Sequence, residues 1–220
     1  MVPALKRRDR TRLALIEAGL TLMSLRSVDA ITIDEIVDTA GVAKGTFYNH
    51  FPDKDALQHD VLEKVRNEIT SLIDRVNEGV LDPARRVARA FCTAMIYAQR
   101  NAREGNFLIR TSMAFRLVED RINRGLVQDI GIGLAEGRFP IASTESGALL
   151  MLGIAQAAMV QSLEQLEQFP LIARSQQMAA MLLRGLGLPF QEAELIAAQE
   201  ADAIVCGRAL DAPSQPRQSV

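Results

Sequence analysis

Residues 32–57 read TIDEIVDTAGVAKGTFYNHFPDKDAL, and they constrain the fold more than any other stretch of the chain. Apolar residues recur there at helical spacing, stop at a glycine, and resume at once. Thr32 is placed to cap a helix by accepting from the Glu35 amide, while Glu35 reaches back to the Thr32 amide. Ile33, Ile36, Val37 and Ala40 then fall at i, i+3, i+4 and i+7, which makes one buried stripe. Gly41 suits the left-handed residue that ends a sharply turning helix, and Val42 can fill the angle. A second helix is expected over residues 43–51, with Ala43, Phe47 and Phe51 turned inward. Pro52 stops it, and Asp53 can cap the next helix.

The other face of that second helix is unsuited to a core. Gly45, Tyr48 and Asn49 share it, flanked by Lys44, Thr46 and His50. Two helices joined by a tight turn, the second with a polar outer face, are a way to hold a helix in the major groove of DNA. Gly45 has no side chain to keep the backbone away from a groove. Thr46 and Asn49 can donate to and accept from base edges. Lys44, Tyr48 and His50 can bond phosphate oxygens, which position a protein without reading sequence. Lys54, in the first turn of the following helix, is expected beside phosphate as well.

At this point the segment resembles the TetR-type transcriptional regulators, whose pattern is roughly T-x-x-x-I-A-x-x-A-G-V-S-x-G-x-x-Y-x-H-F-x-x-K-x-x-L. Thr32, Ile36, Ala40, Gly41, Val42, Gly45, Tyr48, His50, Phe51, Lys54 and Leu57 agree with it without a gap. Val37 stands where the pattern has alanine, and Ala43 where it has serine. The resemblance covers the N-terminal quarter of the chain. It implies DNA contact by Thr32, Lys44, Gly45, Thr46, Tyr48, Asn49, His50 and Lys54, and a small-molecule cavity in the helices that follow.

The chain has 220 residues, enough for one or two domains and a sizeable core. Period-two runs of Val and Thr are missing, so an all-α fold is expected: an N-terminal three-helix helix-turn-helix domain, then a helical ligand-binding and dimerisation domain. The boundaries are expected at residues 1–52 and 53–210, with a polar, disordered tail at 211–220. The net charge is −2, so positive charge is a local matter. Lys6, Arg7, Arg8, Arg10 and Arg12 crowd the start and suit an arm against phosphate. Cys92 and Cys206 give no disulfide framework. With no signal peptide visible, free thiols suit the cytoplasm. No catalytic constellation, metal-ligand spacing or cofactor motif is present, so an enzyme is not expected. Residues 146–163 carry no charge over 18 positions, yet they include Gly, Gln and Ser and barely reach spanning length. A helix buried between protein surfaces explains them better than a membrane span.

Helices are expected at 10–25, with Leu13, Ile16, Leu20 and Met23 inside, and then at 53–77, 83–101, 106–115, 117–136, 144–168, 171–186 and 191–209. Soft and aromatic side chains are spread over the second domain. Among them Phe91, Met95, Phe107, Met113 and Met151, with Arg110, are the candidates for the cavity that the resemblance implies. Arg110 and Arg116 can pair with an anionic ligand or merely with Glu119 and Asp120. A homodimer is expected, since one recognition helix reads too few bases for useful specificity and a two-fold protein on a palindromic operator of double-stranded DNA doubles the contacts. The apolar helices 144–168 and 171–186 suit the interface. The expected whole is a repressor released from DNA by a small-molecule effector. The rival is a ligand-binding or scaffold protein whose hairpin is only structural.

Overall fold

In the computed structural model the described residues are 7–111, 123–164 and 170–207, and they form ten α-helices. These are α1 (Arg7–Met23), α2 (Ile33–Ala40), α3 (Lys44–Tyr48), α4 (Lys54–Val76), α5 (Pro83–Arg100), α6 (Ala102–Thr111), α7 (Arg124–Ala135), α8 (Thr144–Glu164), α9 (Leu171–Gly185) and α10 (Phe190–Val205). A 3-10 turn, Val28–Ala30, links α1 to α2. The fold is all-α, as expected. Met113, Phe115, Arg116, Glu119, Asp120, Lys6 and the 211–220 tail lie outside the described residues.

The chain divides into two compact units, one within Met1–Asn67 and Asn101–Ala114, the other within Glu68–Arg100 and Phe115–Val220. The first therefore runs past the expected boundary at residue 52. It takes in the first half of α4 and also α6, a segment far along the chain. Electrostatics explain part of that recruitment. Arg103 of α6 holds Glu17 of α1 at 2.8 Å, and Arg110 donates to the Ser24 carbonyl at 3.0 Å.

The core of the first unit is made by Leu15, Ile16, Leu20, Met23, Ile36, Val37, Phe47, Phe51, Leu57, Val61 and Val65. Ile16, Leu20 and Met23 of the expected α1 stripe are buried, whereas Leu13 is 39% exposed and Leu15 takes its place inside. Gly19 lets α1 and α4 meet closely, because a Cβ there would lie 3.0 Å from Leu57 Cδ2 and 3.3 Å from Val61 Cγ2. The charged N-terminus is helical from Arg7 onward rather than a loose arm. Arg12 pairs with Asp60, and its guanidinium lies 5.4 Å from the centre of the Phe51 ring, a cation–π contact.

In the second unit α5 is the centre. Every residue from Phe91 to Ala98 is buried, and α7, α8, α9 and α10 pack around it. Glu200 of α10 is 2% exposed, and burying a lone carboxylate would cost heavily. Arg85 and Arg89, both on α5, neutralise it, with Arg89 Nε at 2.6 Å. Arg86 holds the buried Asp129 of α7 at 2.7 Å; burial raises the Asp129 pKa, and the arginine acts against that. Arg138 closes a third site, reaching Asp82 at 3.1 and 3.2 Å and Glu192 at 2.7 Å. Burial pushes the Cys92 thiol up to about 12, which makes it inert at neutral pH.

Helix α8 is long and apolar enough to cross a membrane by length and composition. Its Ala148, Met151, Ala155, Ala158 and Met159 are buried, and it packs on α5, α7 and α9. These contacts account for part of its apolar character, since 33% of the apolar stretch is buried.

Candidate nucleic-acid interface

The turn that sets the interface is built from local chemistry. The Thr32 hydroxyl accepts from the Glu35 amide at 3.2 Å, and the Glu35 carboxylate accepts from the Thr32 amide at 2.8 Å. This is the expected capping box. Arg26, which no sequence pattern singles out, adds a 2.7 Å ion pair to the same carboxylate. The Thr32 amide and then Arg26 hold the Glu35 pKa down to about 2. At the other end Gly41 adopts φ 67° and ψ 37°. The Val42 amide donates to Val37 O at 3.0 Å and the Gly41 amide to Asp38 O at 3.2 Å, a Schellman closure. A Cβ on Gly41 would meet nothing within 4 Å, so the dihedral rather than space calls for glycine.

Helix α3 is shorter than the residues 43–51 read from the sequence. Ala43 is its N-cap, extended and exposed, and is not turned inward as expected. Only side chains that cap well hold that position firmly, and alanine has no oxygen to offer. Phe47 and Phe51 are buried, with ring centres 5.8 Å apart, and they fix the helix on the unit. Tyr48 stands edge-on to Phe47 at 5.4 Å and keeps 53% of its surface exposed. Lys44, Gly45 and Asn49 are exposed, while Thr46 and His50 are half-buried. Six expected residues thus fall on one short, rigidly seated segment. A Cβ on Gly45 would meet nothing within 4 Å, so nothing inside the protein requires glycine there.

Three of the residues expected at DNA are engaged within the chain. Thr32 uses its hydroxyl and amide in the capping box, so its role in the structure is to start α2. Lys44 pairs with Asp34 at 2.9 Å, which raises the lysine pKa; the pair is exposed and therefore easily exchanged. Lys54 does not lie open for phosphate. Its ammonium donates to the Ile31 carbonyl at 2.6 Å and to that of Val28 at 3.0 Å, the latter also accepting from the Ile31 amide that closes the 3-10 turn.

The expected ligand set is divided between the two units. Phe91, Met95 and Met151 are buried in the second unit; Phe107 and Arg110 belong to the first, and Met113 lies outside the described residues. Arg110 donates to the Ser24 carbonyl, and Glu119 and Asp120 lie outside the described residues. Among the described residues no cluster of His, Cys, Asp and Glu can hold a metal.

Comparison with known proteins agrees with this geometry. Residues 15–61 match the model of bacterial regulatory proteins of the tetR family, and residues 82–199 match that of the tetracyclin repressor-like C-terminal domain. The structure of RolR in complex with resorcinol is 30% identical, with a TM-score of 0.69, over 88% of this chain and 95% of RolR. RolR without ligand gives 27% identity and a TM-score of 0.63 over 84% and 96%. A TetR-family regulator from Haemophilus influenzae shares the fold at 15% identity and a TM-score of 0.66, over 82% and 98%. The chain belongs to the TetR family: it is a DNA-binding transcription regulator and not an enzyme.

Proposed function

We propose that this regulator is a cytoplasmic, homodimeric repressor of a palindromic operator, released by a small neutral phenol bound in the second unit. The observation that carries the DNA half is Gly45. It sits in the exposed segment of α3 with no internal reason to be glycine, and glycine in a helix costs up to about 1 kcal/mol. A groove wall approaching from outside supplies the reason. In this reading Thr46 and Asn49 meet base edges, Lys44, Tyr48 and His50 meet phosphates, and Thr32 and Lys54 hold the frame.

Dimer formation through α8 and α9 is supported by Leu149 and Met181, exposed on those helices by 38% and 56%. The phenol class is supported by the resemblance to RolR, whose structure contains resorcinol.

Communication between the units has two covalent routes. Helix α4 starts in the first unit and continues into the second. Its 23 residues span roughly 34 Å at 1.5 Å each. Asn101 alone separates α5 of the second unit from α6 of the first. A ligand that binds the DNA-free form more tightly must be weakened by DNA through the same factor.

The test is a mobility shift on the DNA upstream of the chain's own coding sequence, with and without resorcinol, catechol and phenol. Retarded DNA that a phenol releases is the expected result. Failure to retard any upstream fragment overturns the operator reading; retardation that no phenol relieves overturns the effector class alone.

A further inference from the structure

Thr93 lies in the middle of α5, fully buried, and its hydroxyl has no hydrogen-bond partner. The face on which it lies is otherwise well provided. Arg86, Arg89, Ala90 and Tyr97 share that face by helical spacing, while Phe91 and Met95 point the opposite way. One turn beyond Thr93, the Tyr97 hydroxyl donates to the Glu68 carboxylate of α4 at 2.6 Å. One turn before it, Arg89 donates to the Val76 carbonyl at the end of α4. Thr93 therefore faces the stretch of α4 between Glu68 and Val76, all within the second unit. Leu72 lies midway on that stretch and is only half-buried, so it can yield to an entering group.

An unmade hydrogen bond in a buried place destabilises the chain unless something else gains from it. We infer that Thr93 is the polar anchor of an effector site between α5 and α4, where a phenolic hydroxyl bonds to Thr93 Oγ1 and a second hydroxyl joins the Tyr97–Glu68 pair. The inference rests on the proposal that the effector is a phenol. The charges on this face favour a neutral ligand over an anion. Arg86 is held by Asp129 and by the Asn77 and Val80 carbonyls, and Arg89 by Glu200 and the Val76 carbonyl. Neither guanidinium can turn to a carboxylate ligand without unbalancing a buried acid. A hydroxyl suits the site better, because it can both donate to Glu68 and accept from Thr93. Entry of the ring displaces Leu72 outward on α4, the helix that continues into the DNA-reading unit.

The experiment uses the full chain, with resorcinol, phenol and anisole as probes, reading both the thermal midpoint shift and release of DNA. Resorcinol should act more strongly than phenol, and anisole, which has no hydroxyl to donate, least. Thr93→Val replaces the hydroxyl by a methyl. It should bind DNA normally and melt no lower than the parent, yet need roughly three- to tenfold more resorcinol for release, the worth of one hydrogen bond. Thr93→Ser should restore the response. Ser175→Ala removes the other unpartnered buried hydroxyl among the described residues, on α9, and should leave the response unchanged. An unaltered resorcinol response in Thr93→Val overturns the site. So does a lowered melting point in that variant, since it reveals a hydroxyl already bonded in the ligand-free chain. If the parent binds DNA but ignores all three probes, the phenol class and this site fall together while the DNA reading stands.

Discussion

The Lys54 ammonium lies 2.6 Å from the Ile31 carbonyl oxygen, which ties the first turn of α4 to the residue just before the α2 N-cap. The same ammonium also takes the Val28 carbonyl. Lysine here is a strut across the base of the helix-turn-helix. Removing it takes the charged donor from the Ile31 carbonyl and leaves the Val28 carbonyl with the Ile31 amide alone, and hydrogen bonds to a charged group are worth about 1.5–3 kcal/mol. Lys54→Ala should lower stability by about that much. A lysine that neutralised a phosphate would change the salt slope of DNA binding by about one unit when removed. For a strut the slope should stay nearly unchanged. Urea titration and binding isotherms at several salt concentrations separate the two roles.

Thr46 and Asn49 are proposed to read bases, so Thr46→Ala and Asn49→Ala should each weaken the specific complex by about 1–3 kcal/mol and leave random DNA almost unaffected. Competition binding with operator and scrambled duplexes measures this. Equal losses on both duplexes would assign these residues to the phosphate backbone instead.

The parts of this structure that the sequence disclosed are those made by near neighbours. The Thr32–Glu35 box spans three residues, and Gly41 needs only its own dihedral. Both are legible because the partner or the constraint lies within one turn of helix. The parts that stayed hidden join distant positions. Arg110 and Ser24 are 86 residues apart, and Arg85 and Glu200 are 115 apart. A charge in a helical pattern reads as a solvated surface residue until its partner is located. The same limit explains Lys54, whose carbonyl partners lie in a turn with no side-chain signature. In helix α1 one position, Leu13, was hidden for another reason: Leu13, Leu15, Ile16 and Leu20 offer two overlapping stripes, and the close approach of α4 at Gly19 selects between them.

Glu35 gives a pH dependence. Bonded to the Thr32 amide and paired with Arg26, its carboxylate titrates at about 2 instead of 4.5. A depressed carboxylate stabilises the fold above its unfolded value, and that contribution is lost as the pH falls through the folded one. Glu35→Gln keeps a side-chain acceptor for the capping box but removes the charge. The variant should therefore melt below the parent at neutral pH, with the gap closing as the pH is lowered from about 4.5 to about 2. A gap that stays constant into strong acid would mean that the charge contributes nothing.

The dimer proposal rests on exposed apolar side chains, of which Met181 on α9 is the most open. Met181→Glu should leave the monomer fold intact, because the side chain is exposed by 56%. A carboxylate without a partner between subunits should weaken dimerisation by several kcal/mol per pair of copies. Sedimentation equilibrium of this variant should find monomer where the parent is dimeric. A stable Met181→Glu dimer would move the interface away from this face of α9.

Gly45 offers the sharpest separation between stability and function. In the free protein an added methyl group meets nothing within 4 Å, and the residue sits in a helix. Gly45→Ala should thus stabilise the chain, by up to about 1 kcal/mol from helix propensity alone. The same methyl projects from the exposed segment that carries Lys44, Tyr48 and Asn49, where DNA is proposed to lie closest. Binding should consequently weaken on operator and on random duplex alike, since the clash is with the groove and not with one base. Thermal melts and anisotropy titrations on one preparation report both effects. A variant that melts higher and binds DNA as tightly as the parent would show that the groove does not approach α3 at this position, and that the exposed polar face meets DNA, if at all, through its longer side chains.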